Sequence, residues 1–171
     1  ALRTLVDIDS EWIKPGFGNA LYLRPFVIAT TPGVQASPAK DYLFIIITAP
    51  VQSYYSGDVR VKIADYYSRA ANGGFGFAKA AGNYAGQFYP TQQAAAEGYQ
   101  QVMWTDDATH QYLEEAGTMN LWFRLGDTLV TCPTSERILD GVTRKSIIAV
   151  AEKLGIKTEI RPVKVTELIE A

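Results

Sequence analysis

The sequence contains only one cysteine, Cys132, and one histidine, His110, in 171 residues. A single cysteine excludes a disulfide within the chain. A single histidine leaves no pair of imidazoles for a metal site, so we predict no bound metal. Cys132 precedes Pro133 and is predicted to be structural, and His110 follows two aspartates in a polar segment that is predicted to lie at the surface.

Neither charge nor apolar length indicates a polyanionic partner or a bilayer. The chain has 16 basic and 18 acidic residues and a formal net charge of -2, which provides no electrostatic footprint for nucleic acid or an anionic membrane. The longest apolar run, Leu43–Ile47, is far shorter than the roughly 20 residues that span a bilayer, and no signal peptide is visible. We therefore predict a cytoplasmic protein that binds neither nucleic acid nor membrane.

Hydrophobic residues make up 47% of the chain, which is enough for a packed core, and their spacing changes between strand and helix patterns. This mixture, with hairpin-like connections, predicts an α+β fold. Residues 42–49 are predicted to form a strand buried on both faces, and residues 51–58, which include Gly57, are predicted to link two substructures. The other predicted strands are 19–30, 59–66, 101–104, 112–116, 120–125, 128–131 and 157–163, and the predicted helices are 78–98 and 141–154. The strands between 112 and 131 are predicted to form a meander with a hairpin turn at Gly126 and Asp127. The second helix is predicted to have one apolar face, made of Val142, Ile147, Val150, Ala151 and Leu154.

Both ends of the sequence resemble interrupted helices. The chain begins at Ala1 without a methionine, in a segment of partial helical spacing that ends near Ser10, and it closes with a helix-like stretch from 165 to 171. We therefore expect the sequence to be a piece of a longer protein.

The segment Asn-Gly-Gly-Phe-Gly (72–76) precedes Lys79. It does not match a phosphate-binding loop, which needs a lysine followed by serine or threonine, nor the dinucleotide-binding glycine pattern, so it is predicted to be a tight turn. Lys79 lies among small apolar residues, which leaves two interpretations open. It is either a solvated helix position or a buried amine that is partly unprotonated and able to form an imine with an aldehyde.

Two further features could bind charged groups. Glu114 and Glu115 are adjacent in a predicted strand, so they should point to opposite sides, one inward and the other to water. An inward carboxylate needs a cation, and both a structural arginine and a protonated ring nitrogen remain open. The helix that opens at Gly141 has free N–H groups at its start, which suit either a phosphate or a capping side chain.

Six stretches of the sequence, in register and in order, resemble the branched-chain amino-acid aminotransferases, which are fold-type IV enzymes that depend on pyridoxal 5'-phosphate (PLP). The resemblance extends over nearly the whole chain. The stretches are Tyr-Leu-Arg-Pro (22–25), Pro-Val-Gln-Ser-Tyr (50–54), Asn-Gly-Gly-Phe-Gly-Phe-Ala-Lys-Ala-Ala-Gly-Asn-Tyr (72–84), Gly-Tyr-Gln-Gln-Val-Met-Trp (98–104), Glu-Glu-Ala-Gly-Thr-Met-Asn (114–120) and Gly-Val-Thr-Arg (141–144).

The resemblance implies a role for each matched position around the cofactor. Lys79 would form the imine with PLP and move the proton between the substrate and the cofactor. Tyr84 would donate to the phenolate oxygen of PLP, and Glu115 would pair with its ring nitrogen and keep that nitrogen protonated. The implied cofactor-binding residues are Lys79, Tyr84, Glu115, Thr118, Val142 and Thr143, of which the last two would hold the phosphate.

The resemblance also implies the substrates. Leucine, isoleucine or valine would give its amino group to 2-oxoglutarate in two half-reactions, so the partners would be amino acids and 2-oxo acids. Tyr22, Arg24 and Tyr54 would lie near the substrate, with Arg24 able to meet the distal carboxylate of glutamate. A homodimer and a place in amino-acid biosynthesis are implied as well.

The implied domain organisation is a piece of a larger enzyme. Residues 1–50 would be the C-terminal part of a small substrate-side domain, 51–58 an interdomain loop, and 59–171 the first part of a large mixed α/β-barrel-like domain that binds the cofactor. The family's upstream phosphate-binding arginine and its downstream Gly-Thr-Ala-type loop would lie outside this sequence. We therefore expect weak or no transaminase activity from this chain alone.

Other interpretations remain. The sequence departs from the family at Gln-Phe-Tyr-Pro (87–90), where small polar residues are common, and at Asp140, where proline is frequent. A D-amino-acid aminotransferase or an aminodeoxychorismate lyase of the same fold would share the lysine. An inert fragment that binds no cofactor is the alternative that is not an enzyme.

Overall fold

The computed structural model describes residues 1–52 and 57–171. The chain divides into two compact units, Ala1–Asp58 and Val59–Ala171. Part of the predicted linker, residues 53–56, lies outside the described residues. The assignment of the two units to parts of a small and a large enzyme domain stays a prediction.

Helices and strands are mixed along the chain, as the predicted α+β class requires. The helices are α1 (Leu2–Asp9), α2 (Ala81–Ala85), α3 (Phe88–Ala96), α4 (Val142–Lys153) and α5 (Val165–Glu170), and a 3₁₀ turn covers Ser10–Trp12. The strands are β1 (Ala20–Ala29), β2 (Tyr42–Val51), β3 (Val61–Ile63), β4 (Gln101–Thr105), β5 (Tyr112–Ala116), β6 (Met119–Asn120), β7 (Trp122–Leu125), β8 (Thr128–Thr131), β9 (Thr158–Ile160) and β10 (Val163–Lys164). Within the described part of the chain, every helix is too short or too polar to cross a membrane.

The first unit is built on a long antiparallel hairpin. Strand β1 pairs with β2 along its whole length, from Ala20 opposite Val51 to Ala29 opposite Tyr42. The prediction that this second strand is buried on both faces is wrong, since Phe44 is 61% exposed and Leu43 is 50% exposed. An apolar run predicts a strand, but its burial depends on what packs against the sheet, which the local sequence does not specify.

The second unit has its core around β4 and β5. The strand order is β10-β5-β4-β3, with β6 also paired to β5, and every residue of β4 is buried. The apolar core includes Met103, Leu113, Val130 and Val163. Strand β5, which carries the two glutamates, therefore lies in the interior of the unit.

A second sheet in this unit has the order β7-β8-β9. The predicted hairpin at Gly126 and Asp127 is present, with Gly126 at a φ of 58°, a conformation that glycine adopts without strain. The predicted continuous meander is wrong in one respect, because β5 and β7 belong to different sheets. The chain changes sheets at Leu121, which lies between β6 and β7.

The helix predictions were correct for α4 and wrong around Lys79. The predicted helix 78–98 is two helices, and Lys79 lies in the loop before the first of them. The predicted apolar face of α4 is also wrong in part, because Val142 and Leu154 are 79% and 67% exposed, whereas Ala151 is buried. The predicted strand 59–66 is reduced to the three residues of β3.

Candidate active site

One cavity of about 540 Å³ in the second unit brings together residues from several segments of the chain. Most come from the loop before α2, from α2 itself, from the β5–β6 hairpin and from the start of α4, and Trp122 comes from β7. All six residues that the resemblance assigns to a cofactor line this cavity: Lys79, Tyr84, Glu115, Thr118, Val142 and Thr143.

Lys79 is an exposed loop residue at this cavity. Each interpretation from the sequence is wrong in its structural part, since the residue is neither helical nor buried; the ability of its amine to form an imine stays a prediction. Its Nζ lies 6.0 Å from the centroid of the Tyr84 ring, and Tyr84, in α2, is half-buried. The amine and the phenol therefore reach the same space from neighbouring positions.

The loop that carries Lys79 is held by the buried side chain of Asn83. The amide nitrogen of Asn83 donates hydrogen bonds of 2.8 Å to the carbonyl oxygens of Phe75 and Ala78. Satisfied buried amides restrict the backbone that they bind, because breaking the bonds leaves polar groups without partners. Asn83 thus fixes the backbone directly before Lys79.

Both glutamates of β5 are buried, with Glu114 at 3% and Glu115 at 4% exposure. The prediction that one of them meets water is wrong, although they do face opposite sides of the strand. Glu115 lines the cavity with Lys79 and forms an ion pair with Arg69. Glu114 lines a separate cavity of about 300 Å³ and forms an ion pair with Arg137.

Arg69 is the cation that the sequence left unidentified. Its side chain is only 5% exposed, and besides pairing with Glu115 it donates a 3.0 Å hydrogen bond to the carbonyl of Gly76 and another to the carbonyl of Arg137. These two carbonyl contacts hold the guanidinium where it faces Glu115.

The environment of Glu115 makes its charge responsive to what lies in the cavity. Burial raises the pKa of the Glu115 carboxyl to about 7, and the charge of Arg69 and the backbone N–H of Leu139 offset only part of this effect. The negative charge of Glu114 raises this pKa further, and the positive charge of Lys79 lowers it. A cation placed next to Glu115 would therefore favour its ionised form.

The N-terminus of α4 opens onto the same cavity. Gly141 is the N-cap residue, no side chain of the described residues caps the helix, and the first turn contains no acidic residue. Asp140 pairs with Lys145 at 2.6 Å instead. The backbone N–H groups at Val142 and Thr143 therefore begin the helix without a capping side chain, at the end of a helix whose positive dipole suits an anion.

The substrate-side residues belong to the first unit and are described by their own contacts. Tyr22 and Arg24 lie on one face of β1, both exposed, and Arg24 Nη2 donates a 2.8 Å hydrogen bond to the Tyr22 hydroxyl. Tyr54 lies outside the described residues. The predicted role of all three near a substrate stays a prediction.

The single cysteine and histidine are away from this cavity. Cys132 is 2% exposed and its thiol donates to the carbonyl of Leu113 at 3.0 Å, which agrees with a structural role. His110 is half-buried, with Nδ1 at 2.8 Å from the Thr105 hydroxyl. The predicted surface position of His110 is therefore wrong.

Sequence reasoning missed Arg69 and Asn120, which both line the cavity. A buried carboxylate requires a cation, but nothing local indicates which arginine supplies it. Asn120 gave a usable signal. A tight turn at Gly117 and Thr118 places residue 120 opposite Glu115, and this is the observed pairing.

A family model described as Amino-transferase class IV matches residues 4–171. With this match over nearly its whole length, the chain belongs to the class IV aminotransferase family.

Individual relatives agree with this assignment. Branched-chain-amino-acid transaminase 1 of Bacillus subtilis (strain 168) is 41% identical over 175 residues, covering 100% of this chain and 49% of that protein. The solved branched-chain amino acid aminotransferase of Escherichia coli has a TM-score of 0.72 at 26% identity, over 85% of this chain and 49% of that one. The chain thus spans about half the length of the curated relatives that it matches.

A third comparison concerns the fold alone. An aminotransferase from Brucella abortus, solved with the co-factor PLP bound, has a TM-score of 0.82 at 20% identity, over 99% of this chain and 60% of that one. Together the matches confirm the predicted resemblance to branched-chain aminotransferases and the fold-type IV architecture.

Proposed function

We propose that this chain is the central part of a PLP-dependent transaminase for branched-chain amino acids, with Lys79 as the residue that binds the cofactor covalently. One observation carries the proposal: an amine, a phenol, a buried carboxylate and an open helix N-terminus line the same cavity of about 540 Å³. The names of the relatives support the reaction class.

The chemistry of these groups fits the cofactor. PLP has an aldehyde, a phenolate oxygen, a ring nitrogen and a phosphate. The cavity presents Lys79 for the aldehyde and Tyr84 for the phenolate, Glu115 for the ring nitrogen, and the start of α4 for the phosphate. The N-terminus of a helix binds phosphate through its N–H groups and its dipole.

Each residue would have a defined task. Lys79 Nζ would hold the cofactor by condensing with its aldehyde, with loss of water, and, once displaced by the substrate amine, would be free to take up the proton that leaves the substrate Cα. Tyr84 would donate its hydroxyl hydrogen to the phenolate. When bound, PLP supplies an electron sink that lowers the energy needed to remove the Cα proton.

Glu115 and Arg69 would set the charge at the ring end of the cavity. An ionised Glu115 next to the ring nitrogen would keep that nitrogen protonated. Arg69 holds the carboxylate in place and, since its side chain is buried, compensates its charge away from solvent. Without this arginine the buried carboxylate would take up a proton and lose the charge that the ring nitrogen needs.

The finer assignments are also part of the proposal. The amino acceptor would be 2-oxoglutarate, with Tyr22, Arg24 and Tyr54 on the substrate side. The whole enzyme would be a cytoplasmic homodimer in branched-chain amino-acid biosynthesis. Weak or no activity of this chain alone stays a prediction.

The cofactor site is tested by trapping. The chain is mixed with PLP, reduced with borohydride and digested, and the pyridoxyl-modified lysine is identified by mass spectrometry. We expect the modification at Lys79, its loss in Lys79→Arg, and its retention in the control Lys153→Arg, which changes an exposed lysine at the end of α4. Modification spread over surface lysines, or unchanged trapping in Lys79→Arg, would contradict the proposal.

The substrate class is tested by a half-reaction of the PLP-loaded whole enzyme. Leucine, isoleucine and valine should each release their 2-oxo acid, detected by mass spectrometry, and D-alanine should not. Release from D-alanine alone would favour a D-amino-acid aminotransferase, and pyruvate formation from aminodeoxychorismate would favour the lyase.

A further inference from the structure

Asn120 connects the two ends of the cavity. It lies directly opposite Glu115 in the β5–β6 hairpin, so both side chains are on the same face of the hairpin. Its amide group also reaches the segment 139–141, which leads into α4. The Asn120 side chain therefore hydrogen-bonds both to the Glu115 carboxylate and to this segment.

The amide nitrogen of Asn120 makes both polar contacts. Nδ2 donates to Glu115 Oε2 at 3.3 Å and to the carbonyl oxygen of Leu139 at 2.8 Å. The backbone N–H of Leu139 in turn donates to Glu115 Oε1 at 3.5 Å. The Leu139 backbone is therefore held at both polar groups: its N–H binds the Glu115 carboxylate, and its carbonyl binds the Asn120 amide.

The amide oxygen of Asn120 lies against Gly141, the N-cap residue of α4. A Cβ atom at position 141 would overlap this oxygen. The backbone of Gly141 has φ -66° and ψ 139°, which any residue can adopt. Glycine is therefore needed here for space and not for conformation, and its hydrogen lets the helix start rest directly on Asn120.

We propose that Asn120 is a positioning residue that sets the separation between the Glu115 carboxylate and the N-terminus of α4, so that one ligand can bind a ring nitrogen at the first and a phosphate at the second. We call this set of contacts to Glu115, Leu139 and Gly141 the Asn120 bridge. The inference rests on the proposed function, because it assumes that PLP occupies the cavity.

The bridge has an effect that depends on the ligand. A ligand that binds both ends gains affinity only if the two ends are already correctly spaced, since otherwise part of the binding energy is used to bring them together. A ligand that binds one end alone is indifferent to the spacing. Pyridoxal has the ring without the phosphate, and inorganic phosphate has the charge without the ring, so the two compounds separate the ends.

The first test replaces the amide. For Asn120→Ala we expect PLP binding, measured as trapped Lys79 against PLP concentration, to weaken about tenfold, as loss of a hydrogen bond to a charged group typically does. Trapping of pyridoxal and competition by inorganic phosphate should each change less than about threefold. Circular dichroism and thermal unfolding would establish that the variant is folded.

A second variant reaches the bridge from the other side. Gly141→Ala removes no polar group of Asn120 or Glu115, but its methyl group would displace the Asn120 amide, so it should reproduce the loss for PLP. The double variant should lose little more than either single one, because the same contact is removed twice. Gly86→Ala is the matched control, since a Cβ there meets nothing within 4 Å.

The outcomes are distinct. Unchanged PLP binding in Asn120→Ala, or equal losses for PLP and pyridoxal, would overturn the bridge and leave the cofactor site intact. Equal losses for PLP and inorganic phosphate would show damage to the helix end alone and would also overturn it. A wild-type chain in which neither PLP nor pyridoxal is trapped at Lys79 would overturn the proposed function, and the bridge with it.

Discussion

The guanidinium of Arg69 donates a hydrogen bond to the backbone carbonyl of Arg137, although 68 positions separate the two residues. This bond joins two ion pairs whose carboxylates are both buried, Arg69 with Glu115 and Arg137 with Glu114. The carboxylates on the two faces of β5 are therefore paired with two arginines that are hydrogen-bonded to each other. A substitution in one pair should therefore affect the other.

Replacing Arg137 by methionine should destabilise the fold strongly. It leaves Glu114 buried without its cation, and breaking a buried pair in this way costs about 3–5 kcal/mol. Part of the loss should return in Glu114→Gln/Arg137→Met, which removes the uncompensated charge. The measurement is the free energy of unfolding in urea at neutral pH.

Arg124→Met is the control for this comparison. Arg124 is 80% exposed and pairs with Asp127 at 3.5 Å at the surface, where an ion pair contributes less than about 1 kcal/mol. Equal losses of stability in Arg137→Met and Arg124→Met would refute the assigned role of the buried pair.

The ionisation of Glu115 should make stability fall as the pH rises. Burial raises the pKa of this carboxyl from 4.5 to about 7. Arg69, the Leu139 N–H and Lys79 lower the pKa in part, and the charge of Glu114 raises it. Between pH 4.5 and about 7, Glu115 thus keeps its proton in the folded state and has lost it in the unfolded state. The stabilisation is complete below pH 4.5 and is lost as the pH rises through about 7.

The measurement is the unfolding free energy from pH 4 to pH 8 for wild type and for Glu115→Gln. The wild type should lose on the order of 2 kcal/mol more than the variant over this range. Glu152→Gln, which changes an exposed carboxylate on α4, should behave as the wild type. Parallel curves for wild type and Glu115→Gln would refute the raised pKa.

Cys132 should be unreactive in the folded chain. Burial raises the pKa of its thiol to about 12, so the reactive thiolate is scarce at pH 8. Labelling by a disulfide reagent such as DTNB, followed by absorbance, should be slow in buffer and fast in urea. In Ala95→Cys, which adds an exposed thiol on α3, one equivalent should react at once; two fast equivalents would contradict the burial of Cys132.

Asp106→Asn should weaken the loop between β4 and β5. The carboxylate accepts from the backbone N–H and hydroxyl of Thr109 and from the backbone N–H groups of Gln111 and Tyr112, at 2.7 to 2.9 Å. An amide turns one acceptor into a donor facing these groups, which should cost about 1–3 kcal/mol. Asp127→Asn, at an exposed turn, should cost under about 0.5 kcal/mol.

Asp106→Asn should also change how the free energy of unfolding depends on pH in the acid range. Burial raises the pKa of the Asp106 carboxyl, but the hydrogen bonds from Tyr112, Thr109 and Gln111 together lower it by more, so that the pKa falls from 3.8 to about 2. The stabilisation that the ionised Asp106 gives the folded state is therefore fully present above pH 3.8 and is lost as the pH falls through about 2. In Asp106→Asn the unfolding free energy should depend less on pH in this range, and an unchanged slope would count against the assignment.

Elements with a strong local pattern were predictable. Strands β1 and β4, the β7–β8 hairpin and helix α4 followed from alternating or helical spacing next to turn glycines. Local composition was misleading around Lys79, because the alanine-rich segment favours a helix. There the amide of Asn83 instead holds the preceding loop out of helical geometry.

The pocket was predictable to the extent that it resembles a known motif. The resemblance identified six residues that line one cavity, but it gave no reason for Arg69 to face Glu115. That pairing depends on contacts across the fold, to the carbonyls of Gly76 and Arg137. The prediction that β2 is buried failed for the same physical reason, since the burial of a strand depends on what packs against it, which its own sequence does not specify.

The placement of Glu114 and Glu115 on opposite faces of β5 also bears on how this protein can evolve. Side chains alternate along a strand, so deleting or inserting one residue before this pair would exchange the two carboxylates between the cavities and separate both from their arginines. Substitutions here damage one site at a time, whereas a single-residue change in length disrupts both at once. We expect related chains to vary in sequence along this strand while conserving its length.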